Sequence, residues 1–139
     1  MHQSMKMEAA CHCGAVCFRL KYRMALNREA MYLLVLSGAV AVSAEAGDIS
    51  FDRGEEALTV YRFNTGVAEH YFRSRCGLYT HHRRRSNPNQ FGVNAACLKS
   101  VRPFDFDEVP VFDGIAHPND GNYRIVGYLR FVPSEPASD

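Results

Sequence analysis

Residues 11–22 read CHCGAVCFRLKY, and this stretch contains both the cysteine motif and the strand pattern on which the fold prediction depends. Cys11 and Cys13 are separated by one residue, which places two sulfur atoms on the same side of an extended chain, close enough to share one tetrahedral ion. Gly14 lets the backbone turn around such an ion. Apolar and polar residues partly alternate from Cys13 to Tyr22, and this alternation predicts a strand.

The same Cys-Gly pair recurs far along the chain as Cys76-Gly77, directly after a predicted hairpin. Three thiolates from two separate turns would form an incomplete zinc site, because structural zinc is almost always held by four ligands. The other interpretation is a set of inert, buried thiols. We predict zinc as the cofactor and Cys11, Cys13 and Cys76 as its ligands, with water or a further donor in the fourth position. The candidate donors are Cys17, His12 and His70.

Strand patterns outnumber helix patterns in the rest of the chain. Residues 58–63 (LTVYRF) alternate clearly, and a turn at Asn64-Thr65-Gly66 leads into an extended segment at 69–72, so a hairpin is expected. Helix-forming composition of any length occurs only at 27–36. The chain is therefore expected to be a small, mainly β domain. The remaining predicted strands are 39–44, 91–95 and 125–132.

Composition places limits on the function. The 139 residues fit one domain, predicted at 8–132 with flexible termini at 1–7 and 133–139. A net charge of +1 provides no overall field for nucleic acid or an anionic membrane, so neither partner is expected. No apolar run approaches the roughly 20 residues that cross a bilayer. Five cysteines cannot all pair, and no secretory signal is recognisable, so a cytoplasmic protein is expected.

The run His81-His82-Arg83-Arg84-Arg85 resembles a nucleic-acid patch. A short basic run in a chain of balanced charge is more often a solvated loop, and we expect that here. His70 fits either a general acid or base, since histidine titrates near neutrality, or a packed histidine in the hairpin, which we favour.

Four motifs occur in a fixed order: CHCGAV at 11–16, YRFNTG at 61–66, HYFxxxCGL at 70–78 and VNxxCL at 93–98. In order and spacing they resemble the family of the glutathione-dependent formaldehyde-activating enzyme and centromere protein V, which are zinc-dependent carbon–sulfur lyases. The resemblance extends from Cys11 to about residue 131.

This resemblance implies an Mss4-like (β-tent) fold with two zinc sites. One would be structural, made by Cys-x-Cys and a distant Cys-x-x-Cys, and the other catalytic, made by a central Cys-x-Cys-x-x-Cys that stays open for a thiol such as glutathione. It also implies mainly structural roles for Asn94, which would bond to backbone, and Cys97, which would fill the core. The basic run at 81–85 would lie near the site and could attract the carboxylates of such a thiol.

The chain departs from that pattern in two places. The distant motif reads Arg73-Ser74-Arg75-Cys76, so an arginine stands where the first ligand is expected, and a guanidinium cannot bind zinc because it stays protonated. The central cysteine motif is absent from 27–37, and no catalytic residue is assigned for this reason.

Residues 30–37 can be encoded by DNA that, read one base out of frame, gives Arg-Cys-Thr-Cys-Ser-Tyr-Cys. This peptide contains the absent Cys-x-Cys-x-x-Cys motif at the position where the family pattern has it. We take a frameshift as the first hypothesis and ordinary divergence into a helix or strand as the alternative. The expected function is a carbon–sulfur lyase acting on thiol adducts of small carbonyl compounds. The alternatives are a catalytically inactive zinc-binding or interaction module and the non-functional product of a frameshifted gene.

Overall fold

The computed structural model describes residues 5–22, 31–34, 39–62, 68–84, 89–112 and 125–135. These residues form a mainly β structure of two sheets, without an α-helix. Single turns of 3-10 helix lie at Ala46–Asp48, Glu55–Ala57 and Ala95–Cys97. The strands are β1 Met5–Ala10, β2 Cys17–Tyr22, β3 Met31–Leu34, β4 Ala39–Glu45, β5 Ile49–Arg53, β6 Leu58–Arg62, β7 Glu69–Arg73, β8 Tyr79–Arg83, β9 Gln90–Asn94, β10 Val109–Phe112 and β11 Ile125–Leu129.

The smaller sheet has the order β1-β2-β5 and is antiparallel throughout. Alternate residues of β1 and β2 are buried, among them Met7, Ala9, Phe18 and Leu20. Successive side chains of a strand point to opposite faces, so this alternation gives the sheet one apolar face.

The larger sheet has the order β11-β10-β3-β4-β9-β8-β7-β6. Its neighbouring strands are antiparallel except β10 and β3, which pair in parallel at Val111 and Leu33. Strands β4 and β9 lie near its centre, and Val42 pairs with Val93 there. Both valines are almost fully buried, as expected for a strand covered on its core face.

The apolar faces of the two sheets form one hydrophobic core. Phe18 and Leu20 of the smaller sheet belong to the same buried cluster as Val42 and Val93 of the larger one. Burying a side chain of this size stabilises a fold by about 1.5–3 kcal/mol. The backbone also ties β1 to the chain beyond β9, through a bridge between Ala9 and Leu98.

Several strand predictions are confirmed with small changes at their ends, including the pairing of β6 with β7. The segment 27–36 has helix-forming composition, but its described part is extended: Met31–Leu34 is strand β3, hydrogen-bonded to β4. Partners on both sides of this segment favour an extended backbone over local helix propensity. Residues 27–30, 35–38 and the turn at 64–66 lie outside the described residues.

Two expected boundaries need correction. The strand expected from residue 13 begins at Cys17, because residues 11–16 close a hydrogen-bonded turn instead of continuing as a strand. Strand β1 begins at Met5, so residues 5–7, expected in a flexible terminus, pair with β2. Residues 133–135 are exposed and outside any strand. No helix in the described ranges is long and apolar enough to cross a membrane.

The basic run was wrongly expected to be a solvated loop. Its first three residues are the end of β8, between β7 and β9, and both His81 and His82 are buried. His81 stacks on Tyr71 with ring centres 4.4 Å apart, and His82 stacks on His70 at 5.4 Å. Aromatic neighbours on the adjacent strand cover the imidazoles, so these residues form part of the interior.

Candidate metal site

The N-terminal knuckle, residues 11–16, is a tight turn that follows β1. The N–H of Cys11 donates to the carbonyl of Val16 at 3.1 Å, and the N–H of Gly14 donates to the carbonyl of Cys11 at 3.1 Å. Gly14 has φ 78°, a left-handed conformation that side chains rarely adopt. This geometry turns Cys11 and Cys13 toward the same point.

The C-terminal knuckle, residues 73–78, begins at the last residue of β7 and closes with similar hydrogen bonds, although its glycine lies one residue further along the turn. The N–H of Arg73 donates to the carbonyl of Leu78 at 3.0 Å, and the N–H of Gly77 donates to the carbonyl of Arg73 at 2.7 Å. Gly77 has φ 73°. In each knuckle the glycine N–H bonds to the carbonyl of the first residue, so Arg73 holds the position that Cys11 holds in the N-terminal knuckle.

The two knuckles bring the sulfur atoms of Cys11, Cys13 and Cys76 within 4.8 Å of one another. The Sγ atoms of Cys11 and Cys13 are 3.5 Å apart. Zinc–sulfur bonds of about 2.3 Å in a tetrahedron place sulfur atoms about 3.8 Å apart, so this cluster matches the size of such a site. Cys11 is buried, Cys76 is half-buried and Cys13 is exposed, so solvent reaches one side of the cluster. The sequence prediction that these thiols converge is confirmed.

Hydrogen bonds to sulfur favour the thiolate forms that metals bind. The backbone N–H of Ala15, followed by the thiol of Cys11 and the side chain of Arg73, lowers the pKa of Cys13 to about 7. The backbone N–H of Leu78 is the largest cause of the lowered pKa of Cys76. These contacts favour the ionised forms of Cys13 and Cys76.

Arg73 lies against the cluster without being able to bind a metal. One guanidinium nitrogen, Nη1, donates to the carbonyl of Ala57 at 3.2 Å. Its Nε is buried and has no hydrogen-bond partner among the described residues. A buried N–H of a charged group without an acceptor is costly, and such an atom in a native fold calls for a ligand or another explanation.

The proposed fourth donors do not join the three sulfur atoms. The thiol of Cys17 lies 3.6 Å from the carbonyl of Gly14, His12 is exposed on the turn, and His70 stacks on His82.

Cys97 lies behind the cluster with its sulfur 3.5 Å from the carbonyl oxygen of Tyr79, and burial raises its pKa to about 12. Cys97 is therefore a neutral core residue, as expected.

Asn94 has the structural role expected of it. Its side-chain amide donates to the carbonyl of Tyr79 at 2.8 Å, and its Oδ1 accepts from the N–H of Ala96 at 3.0 Å. Asn94 thus fixes the single helical turn that contains Cys97, and it holds that turn against the strand that leaves the C-terminal knuckle.

A cavity of about 410 Å³ lies beside β7 and β8, and the sequence did not indicate it. Phe51, Tyr71, His81 and Phe91 line it, with Arg83 at 5.4 Å from the ring centre of Phe91. The pairing of β7 with β8 places Tyr71 opposite His81, and Phe51 reaches the cavity from the smaller sheet. Desolvation lowers the pKa of His81 to about 4, so its imidazole is neutral.

No family model matches the sequence. The fold is similar to the crystal structure of a Rhodobacter sphaeroides protein, a structural genomics target, with a TM-score of 0.67 and 42% sequence identity. The match covers 77% of this chain and 99% of the Rhodobacter chain. This chain belongs to the family of that Rhodobacter protein.

Membership of the Rhodobacter protein's family means that the β architecture described above is shared over nearly the whole length of a second protein. The description of the Rhodobacter protein names no activity, so the chemistry must be argued from the site itself.

Proposed function

We propose that the chain is a zinc-binding domain of the carbon–sulfur lyase type on an Mss4-like (β-tent) scaffold. In this proposal Cys11, Cys13 and Cys76 hold one zinc ion, and the substrates are thiol adducts of small carbonyl compounds, with glutathione and formaldehyde as the type case. The observation that carries the proposal is the convergence of three sulfur atoms within 4.8 Å from two knuckles that are distant in sequence, at residues 11–16 and 73–78.

The donor set supports zinc. Thiolates are soft ligands that favour zinc, and two glycine-supported turns that present cysteines are a common way to hold it. The N–H of Val16 lies 3.4 Å from the sulfur of Cys11, and such contacts stabilise the ionised ligand. All five cysteines are free, which fits a reducing compartment and supports a cytoplasmic location.

The proposed chemistry concerns a thiol and a carbonyl carbon. A bound zinc ion would lower the pKa of a coordinated thiol and hold it as a thiolate. The chain's own residues supply the rest: the two knuckles keep the cysteines oriented, and the exposed side of Cys13 leaves the cluster open to a small substrate. The ordered motifs that resemble the lyase family support the reaction class.

A second candidate is a catalytically inactive zinc-binding module. It is favoured by the segment around β3, where the resemblance places a catalytic Cys-x-Cys-x-x-Cys and this chain has none. In that case the three-cysteine site would serve only to join the two sheets, and the protein would act through a partner.

Metal analysis and an activity assay separate the candidates. Purified protein is expected to contain one zinc per chain, and Cys76→Ser is expected to lose it while Cys17→Ser keeps it, because Cys17 lies outside the cluster. Adduct formation from glutathione and isotopically labelled formaldehyde is then followed by NMR. One zinc without a rate increase would support the inactive module, and no zinc in the wild type would contradict both candidates.

The frameshift hypothesis has its own test. Sequencing the gene across codons 20–40 shows whether the natural DNA can be read as the cysteine motif after a single-base shift. Coding DNA that lacks this possibility would leave divergence as the explanation. A repaired chain with three further cysteines is expected to bind a second zinc ion and to gain thiol-dependent activity.

A further inference from the structure

The cavity beside β7 and β8 has no part in the proposed function, yet its size is that of a binding site. Its volume of about 410 Å³ falls within the range of about 300–1,000 Å³ that is usual for small-molecule pockets. It lies between the smaller sheet, which contributes Ile49 and Phe51, and the outer strands of the larger sheet. No cysteine is among the described residues that line it, so the cavity is separate from the three-cysteine cluster.

Aromatic rings from four strands line the cavity around His81. The ring of Tyr71 stacks on His81 with ring centres 4.4 Å apart. The rings of Phe51 and Phe91 lie 5.6 Å and 5.4 Å from His81, measured between ring centres. His81 is uncharged near neutral pH because burial lowers its pKa to about 4, and the hydroxyl of Tyr71 already donates to Glu69. The rings therefore offer mainly apolar surface, which favours a flat, apolar ligand.

Arg83 gives the cavity a positive charge that the protein only partly neutralises. Its one ion pair in the described part of the chain joins Nε to Oε1 of Glu69 at 3.4 Å. That carboxylate is shared, because its Oε2 accepts from Arg62 at 2.8 Å and from the hydroxyl of Tyr71 at 3.0 Å. Two guanidinium groups thus surround one carboxylate, which leaves an excess positive charge beside the cavity.

The terminal nitrogens of Arg83 are the donors that remain for a ligand. They have no acceptor among the described residues. The Nε is buried whereas the side chain as a whole is 39% exposed, so the accessible surface belongs to the other atoms. Glu55, the other charged residue of the wall, is exposed, and water screens its charge. A guanidinium binds a carboxylate through two parallel N–H···O bonds, so a carboxylate fits this position.

We propose that this cavity binds a small aromatic carboxylate, with its ring against Phe51, His81 and Phe91 and its carboxylate on the terminal nitrogens of Arg83. The inference goes beyond the proposed function and depends on neither the metal nor the cysteines. A neutral aromatic compound would lack the charge-assisted hydrogen bonds, and an aromatic amine would be repelled by the guanidinium.

The experiment titrates full-length, isotopically labelled protein with 2-naphthoate and follows the amide signals by NMR. The apparent Kd is expected to be about 1 mM or lower, as is usual for a ligand of this size. The signals that move are expected in β5, β8 and β9, and those of residues 11–16 and 73–78 are expected to stay in place. The neutral control is 2-naphthamide, which has the same shape and is expected to bind about tenfold more weakly.

Three variants test the charge and the cavity separately. Arg83→Gln is expected to weaken the binding of 2-naphthoate about tenfold, to the level of 2-naphthamide. Arg19→Gln is the matched control, because Arg19 pairs with Asp52 and does not line the cavity, so unchanged binding is expected. Ala46→Leu adds bulk at an exposed lining position and is expected to weaken both compounds alike. Circular dichroism checks that each variant keeps the β fold.

The outcomes separate the parts of the proposal. Equal affinity of the wild type for the two compounds would overturn the anionic ligand class. Amide shifts at the two knuckles instead of the cavity strands, or no shifts at several millimolar probe, would overturn the site itself. If Arg83→Gln loses the fold, the comparison of the two compounds on the wild type and on Ala46→Leu decides. None of these results bears on metal binding, which is tested separately by metal analysis.

Discussion

The two buried histidines of β8 predict an acid-sensitive fold. His81 and His82 are 4% and 6% exposed. Burial lowers the pKa of His81 from 6.5 to about 4, and burial together with the charges of His70 and Arg84 lowers the pKa of His82 from 6.5 to about 3. Near pH 6.5, where histidines of the unfolded chain begin to take up protons, both imidazoles of the folded protein are therefore still neutral.

The sign follows from proton linkage. Because the folded pKa values are lower than 6.5, the unfolded chain binds more protons below that pH. Stability is complete above pH 6.5, decreases as the pH falls, and levels off near the folded pKa values. At about pH 5 each histidine lowers the free energy of unfolding by about 2 kcal/mol relative to about pH 7.5, so the pair lowers it by about 4 kcal/mol.

Urea unfolding followed by circular dichroism measures this loss. His82→Gln keeps a polar partner for the hydroxyl of Tyr79 and cannot titrate, so it is expected to lose about 2 kcal/mol less than the wild type between about pH 7.5 and pH 5. Comparing the two proteins at both pH values cancels the effect of acid on the cysteine cluster. Equal losses in the two proteins would refute the assignment of the acid sensitivity to His82.

Three further predictions concern stability. Gly54→Ala is expected to lower the free energy of unfolding by more than about 1 kcal/mol, because Gly54 has φ 82° and a methyl group there would overlap the backbone of the N-terminal knuckle. Gly47→Ala is the control: a methyl group there has open space, so little effect is expected in the same urea assay. Val93→Ala is expected to cost about 2 kcal/mol from the core, and Val60→Ala, at an exposed site, below about 1 kcal/mol. A chelator is expected to lower the Tm of the zinc-loaded protein, and an unchanged Tm would show that the ion contributes nothing to folding.

The sequence predicted the features that depend on local patterns. The Cys-Gly pairs identified both knuckles, because a cysteine followed by a glycine in left-handed conformation is a local arrangement. Alternation identified β6 and its pairing with β7 in the same way. Convergence of Cys76 on Cys11 and Cys13 was also predictable, since metal chemistry requires several ligands at one point.

The features that depend on long-range packing were not predictable from local patterns. His81 and His82 precede three arginines, so the local composition indicates a surface. Their burial depends on rings from neighbouring strands, among them Tyr71 and His70. Met31–Leu34 is extended because β4 and β10 lie on either side of it. Pairing partners decide such segments, and a single sequence does not show those partners.

The two knuckles belong to different sheets, since one follows β1 of the small sheet and the other follows β7 of the large sheet. An ion held by both knuckles would connect the two sheets. Bringing the knuckles together in the unfolded chain would close a long loop, and closing such a loop costs conformational entropy. Metal binding would then be coupled to the packing of the two sheets, which also share one hydrophobic core. By mass action, a bound ion would stabilise the assembled sheets by a free energy that increases with the concentration of the free ion.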